Sequence, residues 1–340
     1  MTALDSSMHF ATRTRSPRLE KAFELILPKL EKVEESLALH LQSPVKTVSQ
    51  VGDYVLEAGG KRIRPALLLM ASNLLGYRGE LDILYGTVLE YIHTATLVHD
   101  DVIDEAGIRR GRPSANSAWG NSRTVLFGDY LYTKALKLAL DAGDLRVLRV
   151  LNDTILCMTE GEILALESEG SIDLTPDVYF EILRRKTAML FAATCEIPAL
   201  IAPGGSRWAE RLREYGLLVG TSFQLIDDLL DYTAEEEVLG KPVLSDLKEG
   251  KLTLPLLLAL PAATPVERKA VETVLREREF RTVTRSQILD LVDRHGTPAR
   301  ARKLAEETAE RAKEALAPLP DGDAKEALLY APDFILNRVL

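Results

Sequence analysis

The chain has 340 residues, 46% hydrophobic and 27% charged, with a formal net charge of −9. That composition describes an ordinary globular chain with ample core, its acidity argues against nucleic-acid partners, and it has no apolar run of about 18 residues to span a membrane. Two cysteines, Cys157 and Cys195, give neither a disulfide framework nor metal-ligand spacing and point to a reducing, cytoplasmic setting.

Residues 1–18 contain Ser, Thr and Arg without an apolar signal core and are expected to form a flexible tail. Beyond Leu19, apolar residues recur at Phe23, Ile26, Leu27, Leu30, Val33 and Leu37, the spacing of an amphipathic helix over 19–41. Residues 48–57 repeat the pattern. Gly59-Gly-Lys-Arg-Ile-Arg-Pro65 follows, with glycines to end one helix and a proline suited to the first turn of the next. Lys61, Arg62 and Arg64 therefore stand at a helix entrance, where the macrodipole favours an anion. A solvated basic loop is the rival reading of that motif taken alone.

Residues 65–75 read as a buried apolar helix, and 81–105 as a long helix that carries His93 and ends in Asp100-Asp-Val-Ile-Asp104. A lone histidine on an apolar helix is more often a hydrogen-bonded core residue than a ligand. Asp100 and Asp104 lie one turn apart with Asp101 beside them, so three like charges crowd one turn and call for a positive partner. Arg109 and Arg110 follow, and either has Glu105 as an ordinary ion-pair partner.

Helices are expected over 124–142, 145–166 (containing Glu160-Gly-Glu162), 176–200 (containing Lys186 and Thr187) and 208–232. The last ends in a second copy of the acidic pattern, Asp227-Asp-Leu-Leu-Asp231, preceded by Gln224. Residues 233–251, with Lys241 and Lys251, read as a polar loop; either lysine alone is an unremarkable surface residue. Helix returns over 252–260 and through the charged 265–318 stretch, with a final segment at 324–329. Strand alternation is scarce, which predicts an all-α chain of about ten to fourteen helices with short connections. Two clusters of hard carboxylate oxygens favour Mg²⁺, Mn²⁺ or Ca²⁺ over softer metals, and because Mg²⁺ completes its octahedron with water and phosphate oxygens, the implied ligand is a phosphate or diphosphate.

Taken together and in this order, the basic Gly59–Pro65 stretch, Glu90 through Asp104, Arg109-Arg-Gly111, Gly128-Asp-Tyr130, Lys186-Thr187, Phe223-Gln224 with the second acidic run, and Gly240-Lys-Pro242 resemble the trans-isoprenyl diphosphate synthases, or polyprenyl synthetases. The chain is most similar to the bacterial long-chain members of that family, of the octaprenyl type. The resemblance implies a single domain over 19–340, a large helical bundle of the isoprenoid synthase type around a central cavity, and a homodimer. It implies condensation of isopentenyl diphosphate with an allylic diphosphate (dimethylallyl, geranyl, farnesyl or geranylgeranyl), dependent on Mg²⁺ or, as a substitute, Mn²⁺. A transient membrane contact for product release goes with that chemistry.

By the same resemblance Asp100, Asp101, Asp104, Asp227, Asp228 and Asp231 hold the metal. Arg109, Lys186 and Lys241 contact the allylic diphosphate, while Lys61, Arg64, His93 and Arg110 match positions that bind isopentenyl diphosphate. Thr187 and Gln224 match groups near the developing cation, and Lys251 and Glu162 also fall at motif positions. The departing diphosphate is the family's proton acceptor. Short-chain members often place Phe or Tyr four or five residues before the first acidic run; here those positions are Thr96 and Ala95, with Ile92 a turn further back. With each helical turn advancing about 5.4 Å, roughly one isoprene unit, small residues at those rungs imply a long all-trans product of about C35–C50 for quinone side chains. The alternatives are a geranylgeranyl or farnesyl diphosphate synthase and, outside catalysis, a regulatory subunit of a heteromeric synthase. Such subunits usually lose acidic-run residues, and none is lost here.

Overall fold

The computed structural model describes residues 17–234 and 243–337, with side chains from residue 23 onward. Sixteen α-helices occupy the described residues, more than the ten to fourteen expected, because several are too short for periodicity to announce. The chain divides into two compact units.

The first unit comprises 1–155, 190–216 and 315–330. Its helices begin with α1 (Pro17–His40), α2 (Lys46–Glu57), α3 (Ile63–Leu74) and α4 (Leu81–Ile103). A β-ribbon of β1 (Ile108–Arg109) and β2 (Arg112–Pro113) follows, then α5 (Ala115–Trp119) and α6 (Asn121–Asp141). Helix α4 is apolar on nearly every side and packs against α1, α3 and α6. Tyr85, Val88, Leu89, Tyr91 and Ile92 are fully buried along it, and each such aliphatic side chain contributes about 1.5–3 kcal/mol. Two polar ties fix its register against α1: Tyr91 Oη donates to the Leu37 carbonyl at 2.6 Å, and Lys29 Nζ lies 2.5 Å from Asp82 Oδ2.

The β-ribbon was not legible as alternation because it is two residues per strand. Its turn places Arg110 (φ 53°) and Gly111 (φ 73°) in left-handed conformations, the backbone of a tight hairpin turn. Glycine takes that conformation freely, whereas an arginine takes it only under constraint.

The second unit comprises 156–189, 217–314 and 331–340. It holds the C-terminal part of α7 (Leu145–Ser168), then α8 (Pro176–Leu183) and a π-helical turn, Arg184–Ala188, which leads into α9 (Met189–Ile201). The C-terminal part of α10 (Ala209–Thr233) follows, with α11 (Ser245–Lys248), α12 (Leu254–Ala259), α13 (Pro265–Glu277), α14 (Arg285–Arg294) and α15 (Thr297–Ala315). Helix α16 (Asp323–Leu336) is shared between the units and runs well past the expected 324–329. Helices α13 and α14 each start at a capping box, Thr264 with Glu267 and Thr284 with Gln287, worth about 1 kcal/mol apiece. Ala301, Ala305, Ala309 and Ala312 make a fully buried small-residue face on α15. There Ser222 Oγ of α10 reaches the Ala305 carbonyl at 3.2 Å. No helix among the described residues is long and apolar enough to cross a membrane.

Candidate active site

In the first unit the chemistry gathers at the C-terminal end of α4. Asp100 is half-buried, Asp101 is buried and Asp104 is exposed as the C-cap, its N–H donating to the Asp100 carbonyl at 2.8 Å. Asp101 does not share an open face with the other two. Its Oδ1 accepts from Arg109 Nε at 2.5 Å, so the ion pair set against Glu105 in the sequence reading forms with Asp101 instead. The ribbon explains the choice: it folds Arg109 back beneath the helix end. Burial pushes the Asp101 carboxyl up, Arg109 pulls it down, and Asp104 adds to the rise.

A depression lies alongside, lined among others by Gly59, Arg62, His93, Asp101, Arg109 and Arg110. The sequence groups Arg62 with Lys61 and Arg64 at an anion-favouring helix entrance, but Arg62 is the N-cap of α3 in a left-handed conformation (φ 47°) and turns to glutamates instead. Its Nη1 donates to Glu90 Oε1 at 2.7 Å and its Nε lies 2.5 Å from Glu34 Oε1. Arg62 is thus consumed by two glutamates that the sequence places 28 residues away on either side. The alternation of basic residues in the motif was the available signal: Lys61 is exposed, Arg62 turns inward, and Arg64 lies partly enclosed.

Arg64 stacks its guanidinium 4.5 Å over the Phe191 ring, and its buried Nε has no hydrogen-bond partner. Desolvation pushes Arg64 down to about 10, with Glu90 opposing. His93 is held well below its ordinary value by burial and then by Arg64, Arg110, Arg109 and Arg62. Arg110 shifts down by desolvation and by Arg62 and Arg109, Glu90 again opposing. Burial is the main cause in all three, and for His93 and Arg110 the neighbouring arginines add to it, an arrangement that a bound anion would relieve.

In the second unit the corresponding cluster lies at the end of α10. Asp227 is exposed, while Asp228 and Asp231 are buried. Tyr179 Oη donates to Asp228 Oδ2 at 2.5 Å and Gln224 Nε2 to Asp228 Oδ1 at 2.7 Å. Burial pushes Asp228 up to about 8, with Asp246 adding to it and the two hydrogen bonds opposing. Asp231 accepts at 3.2 and 3.1 Å from the backbone N–H groups of Ser245 and Asp246, at the start of α11. It serves there as an anchor for the segment that leads to Lys251.

Thr187 Oγ1 donates to Gln224 Oε1 at 2.8 Å, so Thr187, Gln224 and Asp228 form one hydrogen-bonded row. Lys186 Nζ lies 2.5 Å from Glu162 Oε2, and Lys251 Nζ lies 2.9 Å from Glu249 Oε2. Lys241 lies outside the described residues.

Among the described residues no three His, Cys, Asp or Glu side chains converge as a metal-ligand set. The physical reason is visible in the partners: Asp101 turns to arginine, Asp228 to tyrosine and glutamine, and Asp231 to backbone amides. Asp100, Asp104 and Asp227 keep solvent access. Such accessible carboxylates fit a hard dication that takes its remaining ligands from water and phosphate, and do not fit a closed all-protein cage. Of the three expected rungs, Ala95 and Ile92 are fully buried, while Thr96 is half-buried and donates through Oγ1 to the His93 carbonyl at 2.7 Å.

Comparison with known proteins adds a second line. The polyprenyl synthetase family matches residues 45–292. The chain is 40% identical to the octaprenyl diphosphate synthase of Escherichia coli (strain K12), over 94% of this chain and 99% of that protein. It is 37% identical to an all-trans-nonaprenyl-diphosphate synthase (geranyl-diphosphate specific) of Rhodobacter capsulatus, over 88% of this chain and 91% of that one. A polyprenyl synthase from Caulobacter crescentus CB15, solved with calcium and isoprenyl diphosphate, superposes with a TM-score of 0.89 at 36% identity, covering 95% of this chain and 98% of that one.

Proposed function

We propose, because the chain belongs to the polyprenyl synthetase family, that this prenyltransferase condenses isopentenyl diphosphate with an allylic diphosphate and builds a long all-trans polyprenyl diphosphate of the octaprenyl class. The observation that carries the reading is the cradle around His93. Arg64 keeps a buried Nε without a hydrogen-bond partner, and burial and neighbouring arginines hold His93 and Arg110 down beside an acidic helix end, which suits a diphosphate accompanied by cations. Lys61, Arg64, His93 and Arg110 bind isopentenyl diphosphate there, and Arg109, Lys186 and Lys241 hold the allylic diphosphate.

The two acidic runs take Mg²⁺, with Mn²⁺ as substitute: in the first unit Asp100 and Asp104 keep solvent access while Arg109 holds Asp101, and in the second Asp227 keeps solvent access while Asp228 and Asp231 are held by their own neighbours. The bound ion supplies Lewis-acid neutralisation of the leaving diphosphate. The protein's own part is preorganised charge and dryness. The row Thr187–Gln224–Asp228 holds oxygen dipoles in place, and such fixed dipoles stabilise developing positive charge without reorganising. The apolar length of α4 keeps water from the growing cation. The two free thiols, Cys157 and Cys195, suit a reducing cytoplasm, and a long apolar product calls for a brief membrane contact at release.

The protein is also read as a homodimer. On α7 Leu145, Leu156 and Ile163 are 71%, 57% and 52% exposed, which suits a helix face covered by a second copy, and on α6 Leu126 and Leu140 are separately 67% and 58% exposed. The test of the activity is direct. Purified protein is incubated with Mg²⁺, isopentenyl diphosphate and farnesyl diphosphate, and the dephosphorylated products are separated by length. Octaprenyl-range product is expected. A product that stops at geranylgeranyl would move the protein to the shorter class, and no elongation at all would leave only the regulatory-subunit reading.

A further inference from the structure

Lys186 and Thr187 sit in a π turn, Arg184–Ala188, between two α-helical stretches. A π turn inserts one residue into the helical repeat and persists only where surrounding structure holds it, often at functional sites. Directly against it lies Gly161, in the interior of α7, a position where glycine weakens a helix more than any residue except proline. A Cβ built at Gly161 would fall 2.5 Å from Arg185 Cβ, 3.1 Å from the Lys186 backbone nitrogen and 3.2 Å from the Arg185 carbonyl carbon. Two of those three atoms are backbone of the turn itself, so no side-chain rotation relieves the contact.

The residues flanking Gly161 complete the clasp. Glu160 pairs with Arg185, and Glu162 Oε2 lies 2.5 Å from Lys186 Nζ. Glu181, one turn before the π segment, holds Arg185 Nε at 2.5 Å from the other side. From the turn the connection runs on through Thr187 Oγ1 to Gln224 at 2.8 Å and from Gln224 to Asp228 at 2.7 Å.

We infer that Gly161 is a positioning residue for prenyl transfer: its missing side chain lets α7 seat the π turn that presents Lys186 to the allylic diphosphate and Thr187 to Gln224. The inference rests on the allylic role given to Lys186 above. A side chain at 161 pushes the Arg185–Lys186 backbone away from α7, moving the lysine and the hydrogen-bonded row together while leaving the cradle around His93 untouched.

The experiment uses the full chain and steady-state kinetics with one substrate varied at a time. Gly161→Ala should raise KM for the allylic diphosphate by about tenfold or more and change KM for isopentenyl diphosphate by less than about twofold. A merely structural glycine would move both together. In a Lys186→Ala background the same change should add clearly less than it does alone, since part of its effect runs through Lys186 and only the part through the Thr187–Gln224 row is left. Arg185→Gly alone sets the baseline for the lost Glu160 and Glu181 pairs, and in that background, with the closest contacting atom gone, Gly161→Ala should raise the allylic KM far less than it does in the wild type. Should Gly161→Ala fail to fold, as judged by circular dichroism, the comparison of Arg185→Gly with the double variant decides: a double variant that folds with an allylic KM near that of Arg185→Gly supports the clasp, and one that still fails to fold beside a folded Arg185→Gly overturns it. Equal effects on both substrates, or full additivity with Lys186→Ala, also overturn it. If Lys186→Ala itself leaves the allylic KM unchanged, the role of Lys186 falls and the inference with it. A damaged Lys186→Ala beside a normal Gly161→Ala removes the inference alone.

Discussion

At His93, burial and charge act in the same direction. Both favour the neutral ring, so the folded value lies well below that of the unfolded chain, about 6.5. The sign follows from linkage: a depressed folded value gives stability that is present above the unfolded value and lost as pH falls through the folded one. Ligand-free protein should therefore lose melting temperature as pH drops below about 6.5, and His93→Gln should flatten that fall. Inorganic diphosphate should flatten it too, because a bound polyanion raises the histidine. Identical Tm–pH curves for wild type and His93→Gln would show that neither burial nor the neighbouring cations hold this ring below its ordinary value.

The same cradle predicts a division of labour between the two diphosphates. Lys61→Ala and Arg64→Ala should raise KM chiefly for isopentenyl diphosphate, and Lys186→Ala chiefly for the allylic substrate. A charge-assisted hydrogen bond is worth about 1.5–3 kcal/mol, or about 10- to 100-fold. A reversed pattern would interchange the sites. These residues were legible as a motif, but their fates were not. Arg62 and Arg64 look equivalent in sequence, and only the left-handed cap at Arg62 turns one into an internal ion pair while leaving the other short of partners. Asp231 likewise copies Asp104 in pattern, yet one is drawn under the backbone of α11 and the other stays exposed. Backbone conformation decides both cases, and residue type alone does not carry it.

On the scale of elements, apolar periodicity located the long helices within a few residues, because a 3.6-residue stripe is their main cause. It could not locate the π turn, which shifts the stripe by a single residue, or the ribbon, which depends on an arginine in a glycine-like conformation. Helix α4 joins the acidic run to the expected rungs, and its packing separates two substitutions. Thr96 is half-buried on the His93 side, so Thr96→Phe should shorten the product while the first condensations continue. Ala95 is fully enclosed, so Ala95→Phe should also shorten the product, at an overpacking cost of about 1–3 kcal/mol read as a lower Tm. Product chromatography and melting curves distinguish them. Unchanged lengths for both variants would show that this face of α4 does not follow the growing chain.

For the whole molecule the question is what covers the apolar residues that the chain leaves outside. Leu145, Leu156 and Ile163 are spaced by 11 and 7 residues, which returns each to nearly the same angle on α7 and makes one stripe. Such a stripe is costly in water, since burying each Leu or Ile is worth about 1.5–3 kcal/mol. A net charge of −9 disfavours nonspecific clustering, so a defined partner is the economical solution, and a second copy supplies the same stripe in a two-fold arrangement. Sedimentation at micromolar concentration should give twice the mass of one chain. Ile163→Glu should shift the protein toward monomer with its helix content unchanged, because the side chain is 52% exposed within one chain and contributes little to that chain's own core. Leu126→Glu on α6 should act in the same sense, its side chain being 67% exposed. A wild type that sediments as a monomer, or variants that keep the doubled mass, would place the subunit contact elsewhere and leave these leucines and isoleucine to another partner.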